Sequence, residues 1–260
     1  MDRKLTWYDA IKARTSRRDY TGVPLGADQA AAIRRLISDI NAESGLRFNL
    51  LEDVNKFFAG FKASYGMLRN VTSAVALIGN KELPHVETLV GYYGEFLVLE
   101  CVNLNLGTCW VGGTYDKEVL KKSLSLMDNE ELFLVFTVGD VDVKKSLKEI
   151  AISSIGKTKQ TFAELLREKE DPLPLWVSSG IEAARLAPSA MNKKPVGYSY
   201  VDQTLKAYIT KPNHPYKDVD LGISLAHFEL GALHEGVKGE WHPQDPTVLS
   251  KNIGFIFEPN

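Results

Sequence analysis

Cysteine is nearly absent from this chain: Cys101 and Cys109 are the two in 260 residues. That excludes a disulfide framework and a Cys-rich zinc site, and both residues, at the end of one apolar segment, read as core filling. Charge of one sign is lacking too. Lys and Arg number 31 against 33 Asp and Glu, a net charge of -2, whereas surfaces that track nucleic-acid phosphates need a marked basic excess. No nucleic-acid partner is expected. No apolar run approaches the roughly 20 residues of a membrane span, and Met1 to Tyr8 has no apolar signal core. The sequence therefore reads as soluble and cytoplasmic, with no membrane partner. Metal and hydrolytic constellations are missing as well. The five histidines form no ligand set, since His227 and His234 share a helix face without a third ligand, and no metal is expected. No Ser-His-Asp arrangement or carboxylate pair stands out, and Glu95 and Glu100 read as helix residues.

What is present is an ordinary globular composition, 44% hydrophobic and 25% charged, long enough for one large domain or two small ones. The chain runs twice through one plan. Ile33, Leu36, Ile37 and Ile40 fall on one helical face, followed by the alternation Leu46, Phe48, Leu50. Ile181, Ala184 and Leu186 then precede Tyr198 and Tyr200, and Phe48 and Tyr198 correspond at an offset of 150 residues. The apolar run Ala74 to Gly79 has its counterpart in Lys206 to Thr210.

Each pass continues with a long helix and closes with a strand. The first helix is predicted from about Leu89 to Leu106, apolar almost all round, with Gly107 as a left-handed cap. The second is predicted from about Asp220 to Glu235, stopped by Gly236. Trp110 and Trp241 follow, and Leu132 to Val138 and Ile253 to Phe257 end the passes as strands. The expected organisation is a first unit over 1–152, a connector over 153–175 with a polar helix from Thr161 to Lys169, and a second unit over 176–260. The two units are expected to pack as one globule. Alternation of this kind is common among α/β chains, so duplication rests on element order rather than residue identity.

Three segments carry chemistry. Arg14-Thr15-Ser16-Arg17-Arg18 follows a short helix, Trp7 to Ala13. Guanidinium forks and a hydroxyl suit a phosphate monoester, although a solvated basic patch has the same composition. Ala187-Pro188-Ser189-Ala190-Met191-Asn192-Lys193-Lys194-Pro195 follows a helix end and reads either as a ligand loop or as a helix stop with an Asn turn. Leu106-Gly107-Thr108-Cys109-Trp110-Val111-Gly112-Gly113 lets main chain pack closely, with Trp110 either a core anchor or a stacking residue. Ala151 to Thr158 satisfies a loose nucleotide-loop pattern, but its first glycine is missing and the preceding segment is polar, so NTPase activity is not expected.

Taken jointly, Arg14-x-Ser16-x-Arg18 and Pro188-Ser189-x-x-Asn192 resemble the two FMN signatures of the nitroreductase family, Arg-x-Ser-x-Arg/Lys and Pro-Ser-x-x-Asn-x-Gln-Pro. Lys194 stands at the Gln position, and most of the chain separates the two segments. In that family they come from two subunits of a dimer, so the spacing resembles the subgroup in which two nitroreductase-like units occur in tandem in one chain. The resemblance implies an α+β nitroreductase-like fold, with mixed and antiparallel sheets flanked by helices, forming a pseudo-dimer within one chain.

The resemblance also implies FMN as cofactor and NAD(P)H, either NADH or NADPH, as electron donor, with a nitroaromatic, quinone or similar small acceptor. Such a flavoprotein needs no catalytic side chain, because hydride chemistry sits on the flavin. Arg14, Thr15, Ser16 and Arg18 would hold the phosphate and ribityl chain, with Arg18 at the flavin N1/O2 edge. Pro188, Ser189, Ala190, Asn192 and Lys194 would hold the ring region, and Cys109, Trp110, Val111, Gly112 and Gly113 would border it. Lys157 and Lys159 resemble the family's late basic pair, or begin a solvated helix. About one FMN per chain is implied, and a monomer suffices. The alternative is an FMN-binding carrier or sensor without turnover.

Overall fold

The computed structural model describes residues 1–58, 67–146, 149–150, 160–244 and 254–260. In chain order the elements are α1 (Leu5–Ala13), α2 (Ala27–Ser44), β1 (Asn49–Glu52), α3 (Asn55–Phe58), β2 (Ser73–Asn80) and α4 (Val86–Asn103). There follow β3 (Gly107–Val111), α5 (Lys117–Ser123), β4 (Glu130–Gly139), α6 (Phe162–Leu165), β5 (Leu166–Lys169) and α7 (Leu175–Arg185). After a 3-10 turn at Ala190–Asn192 come β6 (Val196–Val201), β7 (Thr204–Ile209), α8 (Lys217–His234), β8 (Gly239–Pro243) and β9 (Gly254–Pro259). The fold is α+β. Among the described residues no helix is long and apolar enough to cross a membrane.

The chain forms two compact units, the first of Met1, Ala13–Val86 and Phe96–Lys157, the second of Asp2–Lys12, Glu87–Glu95 and Thr158–Asn260. Residues 160–175, read from sequence as connector, lie in the second.

The first unit is built on an antiparallel sheet ordered β1-β2-β4-β3. β2 is buried from Ser73 to Gly79, as a strand covered on both faces must be. A bulge shifts register between Leu77 and Ile78, which pair with Leu134 and Leu132. The extra residue, Phe133, puts Leu132 and Val135 into one core with Ala74, Ala76, Ile78, Cys109 and Val111. α2 begins with a capping arrangement at Gly26 and Gln29 and ends at Gly45, φ 70. Its stripe Ile33, Leu36, Ile37 and Ile40 is buried as predicted.

The second unit carries a sheet ordered β5-β6-β7-β9-β8. Its core gathers Val177, Ile181, Tyr198, Leu205, Leu225, Phe228 and Phe257, with Trp176 and Trp241 against it. Leaving β5 aside, the order β6-β7-β9-β8 repeats β1-β2-β4-β3 in chain sequence and pairing. In each pass an 18-residue helix, α4 or α8, separates the second strand from the third.

Two expectations change. Helix α4 ends at Asn103, with Leu104 as cap and Asn105 taking the left-handed conformation at φ 61. Gly107 opens β3 instead, and is small because a Cβ there would lie 2.4 Å from Val141 Cγ1 and 3.0 Å from Arg17 Cβ. The polar helix expected from Thr161 to Lys169 stops after one turn. Thr161 and Glu164 form a capping box, but Leu166 is buried and the chain continues as β5, parallel to β6. Sheet pairing outweighs the local helical start. Gly236 does end α8 as expected, at φ 81.

Candidate functional site

The basic segment lies along β3 of the first unit. Ser16 bridges Thr108 in parallel fashion, and the Arg17 amide donates to the Thr108 carbonyl at 2.8 Å. Tyr20 fixes the exit of the segment, its hydroxyl 2.6 Å from Thr137 Oγ1 and 3.0 Å from the Arg17 carbonyl. Burial pushes that phenol well above its ordinary value, so it stays a neutral hydrogen-bonding group.

Arg17, between the two signature arginines, serves the fold. Its Nε donates to Glu149 Oε1 at 3.1 Å and its Nη2 to the Asp142 carbonyl at 2.9 Å. Glu149 is 2% exposed and also accepts the amides of Arg18 (2.6 Å), Ser146 (3.1 Å) and Asp19 (3.3 Å). Burial alone would raise its carboxyl, but Arg17 and the three amides outweigh that and hold it below its ordinary value.

Arg14, Ser16 and Arg18 are half-buried and turn toward Cys109. Burial raises that thiol, while the charges of Arg18 and Arg14 and a hydrogen bond with Ser16 oppose the rise. Sequence reasoning missed Lys145. Its ammonium is pushed down by burial first and then by Arg17, with Arg14 and Arg18 adding to the effect and Glu149 opposing it. Lys144-Lys145 just beyond a strand end looks like any solvated pair, so only the fold places one of them among the arginines. Thr15 is exposed. Cys109 and Val111 face the core, and Trp110, on the opposite side of β3, sits 5.9 Å from Phe136. Gly112 and Gly113 follow the strand end. Lys157, Lys159 and the nucleotide-loop look-alike at 151–158 lie outside the described residues.

The second signature is a tight turn in the second unit. Met191, Asn192 and Lys194 take φ of 51, 53 and 47, a left-handed conformation that costs a non-glycine residue about 1 kcal/mol or more. The turn is held from within and without. Ser189 Oγ accepts the Lys194 amide at 2.9 Å, and the Ser189 and Ala190 carbonyls accept the amides of Asn192 and Lys193 at 2.9 and 3.1 Å. The Lys194 ammonium donates to the carbonyls of Arg185 (3.0 Å) and Ala187 (2.5 Å), closing the end of α7.

From α8, Asp220 accepts the Ala190 amide with both oxygens, at 3.0 and 3.2 Å, and His214 Nε2 stands 3.1 Å from its Oδ2. Burial pushes the Asp220 carboxyl up to about 7, against the Ala190 bond and the Lys194 charge. Neither Asp220 nor His214 was legible as a site residue: Asp220 read as the start of a helix, and no pattern marked His214.

The histidines on α8 have packing partners. His227 Nε2 is 2.8 Å from Glu95 Oε1 and its Nδ1 3.1 Å from the Ala183 carbonyl, while His234 stacks on Tyr8 at 4.1 Å. Among the described residues no cluster is arranged to hold a metal.

The first unit thus offers a cationic group that suits an anion, and the second a constrained turn presenting Ser189 and Asn192. The family model described as "Putative TM nitroreductase" matches residues 6–232. A Thermotoga maritima protein described as a "putative nitroreductase" has a structure similar at TM-score 0.64 and 17% identity, over 99% of this chain and 95% of that one. An FMN-dependent nitroreductase from Clostridium difficile R20291 matches at TM-score 0.44 and 19% identity, over 53% of this chain and 88% of its own. Among curated proteins none matches. With the family model spanning most of the sequence, this chain belongs to that nitroreductase family of oxidoreductases.

Proposed function

We propose that the chain is an FMN-dependent oxidoreductase that moves hydride from NADH or NADPH to a nitroaromatic, a quinone or a similar small acceptor. The observation that carries this reading is the gathering of Ser16 and Lys145 about Arg14 and Arg18. Lys145, its ammonium pushed down by burial and by the neighbouring arginines, favours an anion beside it, and a phosphate monoester, carrying about -1.5 to -2 at neutral pH, matches. When bound, FMN supplies the redox chemistry, taking hydride from the nicotinamide and passing electrons to the acceptor.

The residues then divide by role. Arg14, Ser16 and Lys145 bind the phosphate, with Thr15 beside them and Lys157 and Lys159 as further cations. Arg18 holds a fixed positive charge at the flavin N1/O2 edge. Pro188, Ser189, Ala190, Asn192 and Lys194 form the turn that takes the ring and ribityl region. Ser189 Oγ already accepts the Lys194 amide, so its own proton remains to donate to a ligand. The backbone from Cys109 to Gly113 borders the flavin, and no side chain is assigned as acid or base.

The repeat of strand order and long helix supports an origin by internal duplication, in which one chain provides both signatures and binds about one FMN. The test is addition of FMN to purified protein, following the flavin spectrum and the thermal midpoint. Binding to the native state raises the midpoint, and NADH or NADPH should bleach the bound flavin until an acceptor restores it. Bound flavin that neither nucleotide reduces would make the chain a carrier or sensor.

A further inference from the structure

The Pro188–Lys194 turn needs an outside hold, because three of its residues occupy left-handed conformations that cost about 1 kcal/mol or more apiece. The Ala190 amide, between Ser189 and Asn192, is directed at both carboxylate oxygens of Asp220 on α8. Asp220 is 3% exposed and lies in the first turn of an 18-residue helix, where the helix dipole favours negative charge.

We propose that Asp220 is a positioning residue, which together with His214 holds the Pro188–Lys194 turn in the shape that takes flavin and relaxes that hold when its carboxyl takes up a proton. This rests on the flavin-binding reading above. Ionised Asp220 gives Ala190 a charge-assisted bond, whereas the protonated acid gives a neutral one, roughly half as strong.

The charged and titratable groups about it fix the direction of the effect. Lys194 approaches from the turn itself and favours the carboxylate. His214, from the β7–α8 connection, is held below its ordinary value by burial and then by Lys193, Lys211 and Lys217, so it meets Asp220 as a neutral ring. Asp218, two residues earlier on α8, is paired with Lys217 at 2.9 Å.

Protonation at Asp220 falls near neutrality, at about 7 against an ordinary 3.8. For a carboxyl raised in the fold, stability is greatest below the ordinary value and declines as pH rises through the folded one. The ionised carboxylate therefore costs the fold something, and its use lies in the turn that it holds.

The experiment compares wild type, Asp220→Asn and His214→Ala by FMN fluorescence titration at about pH 6 and about pH 8, with amide hydrogen exchange at Ala190 in flavin-free protein. Wild type should gain about five- to tenfold in FMN affinity toward the higher pH, beyond the change seen in Asp220→Asn, and Ala190 protection should rise with it. The change shared by both proteins is the titration of the FMN phosphate itself.

Asp220→Asn should melt no lower than wild type at about pH 8. If it fails to fold, His214→Ala carries the test: loss of one donor to the carboxylate should move the wild-type transition to higher pH. Equal affinities and equal pH profiles in variants and wild type, or an Ala190 exchange rate insensitive to pH, would overturn the proposal while leaving FMN binding intact. No FMN binding by any of the three proteins would overturn both.

Discussion

Gly91 and Gly222 stand in reciprocal contact where α4 meets α8. A Cβ on Gly91 would come 2.1 Å from the Val219 carbonyl oxygen, and one on Gly222 would come 1.9 Å from that of Thr88. Each glycine follows by three residues the carbonyl that the other touches. The contact is reciprocal, and, β5 left aside, each of the two helices follows the second strand of its sheet.

Replacing either glycine with alanine should therefore force the helices apart. We expect Gly222→Ala and Gly91→Ala each to cost about 3 kcal/mol, at the upper end of overpacking effects. Gly45→Ala, where φ is +70 and nothing lies within 4 Å, should cost only about 1 kcal/mol. Urea unfolding of the three variants measures the difference, and the double variant at 91 and 222 should fall short of additivity.

The Glu95–His227 pair joins the same two helices, with both side chains fully buried. Glu95→Ala should destabilise by about 3 to 5 kcal/mol because it removes the partner from one side of a buried pair. Glu95→Gln keeps an oxygen and should cost clearly less, as thermal midpoints will show.

Arg14→Ala, Arg18→Ala and Lys145→Ala should each weaken FMN retention by tenfold or more, since a charge-assisted bond contributes about 1.5 to 3 kcal/mol. Arg35→Ala, on the exposed face of α2, should leave it unchanged. Arg17→Ala should behave differently from its neighbours. It leaves Glu149 buried without its guanidinium and should lower stability by about 3 kcal/mol. Retention of FMN and the thermal midpoint, read side by side, separate the two classes.

Glu149 also predicts an acid limb. Its carboxyl lies below the ordinary 4.5 in the fold, so its contribution is fully present above that value and is lost as pH falls through the lower folded one. The midpoint of Glu149→Gln should lie below that of wild type at neutral pH, with the gap closing as pH falls below the ordinary 4.5.

Much of the fold could be read from residue pattern. The buried stripe of α2, the strand at Ala74 to Gly79 and the glycine stop at Gly236 follow from local rules. What escaped depends on distant partners. Leu166 leaves its helix because β6 offers an open edge, and Gly107 is small because Val141 and Arg17 crowd it. At the site, alternation along the chain marked Arg14, Ser16 and Arg18. Arg17 carries the same charge but turns to Glu149, 132 residues away, which no spacing rule encodes. Lys145 and Asp220 escaped for the same reason: their surroundings are assembled by the fold.

The proposed function requires that this chain carry both halves of a flavin-binding apparatus. The direct measurement is the FMN stoichiometry of the purified protein, taken by absorbance after loading and removal of excess flavin. The expected result is about one FMN per chain, bleached by NADH or NADPH, and reduced to traces in Arg14→Ala and Arg18→Ala. Colourless protein that cannot be loaded with FMN would contradict it.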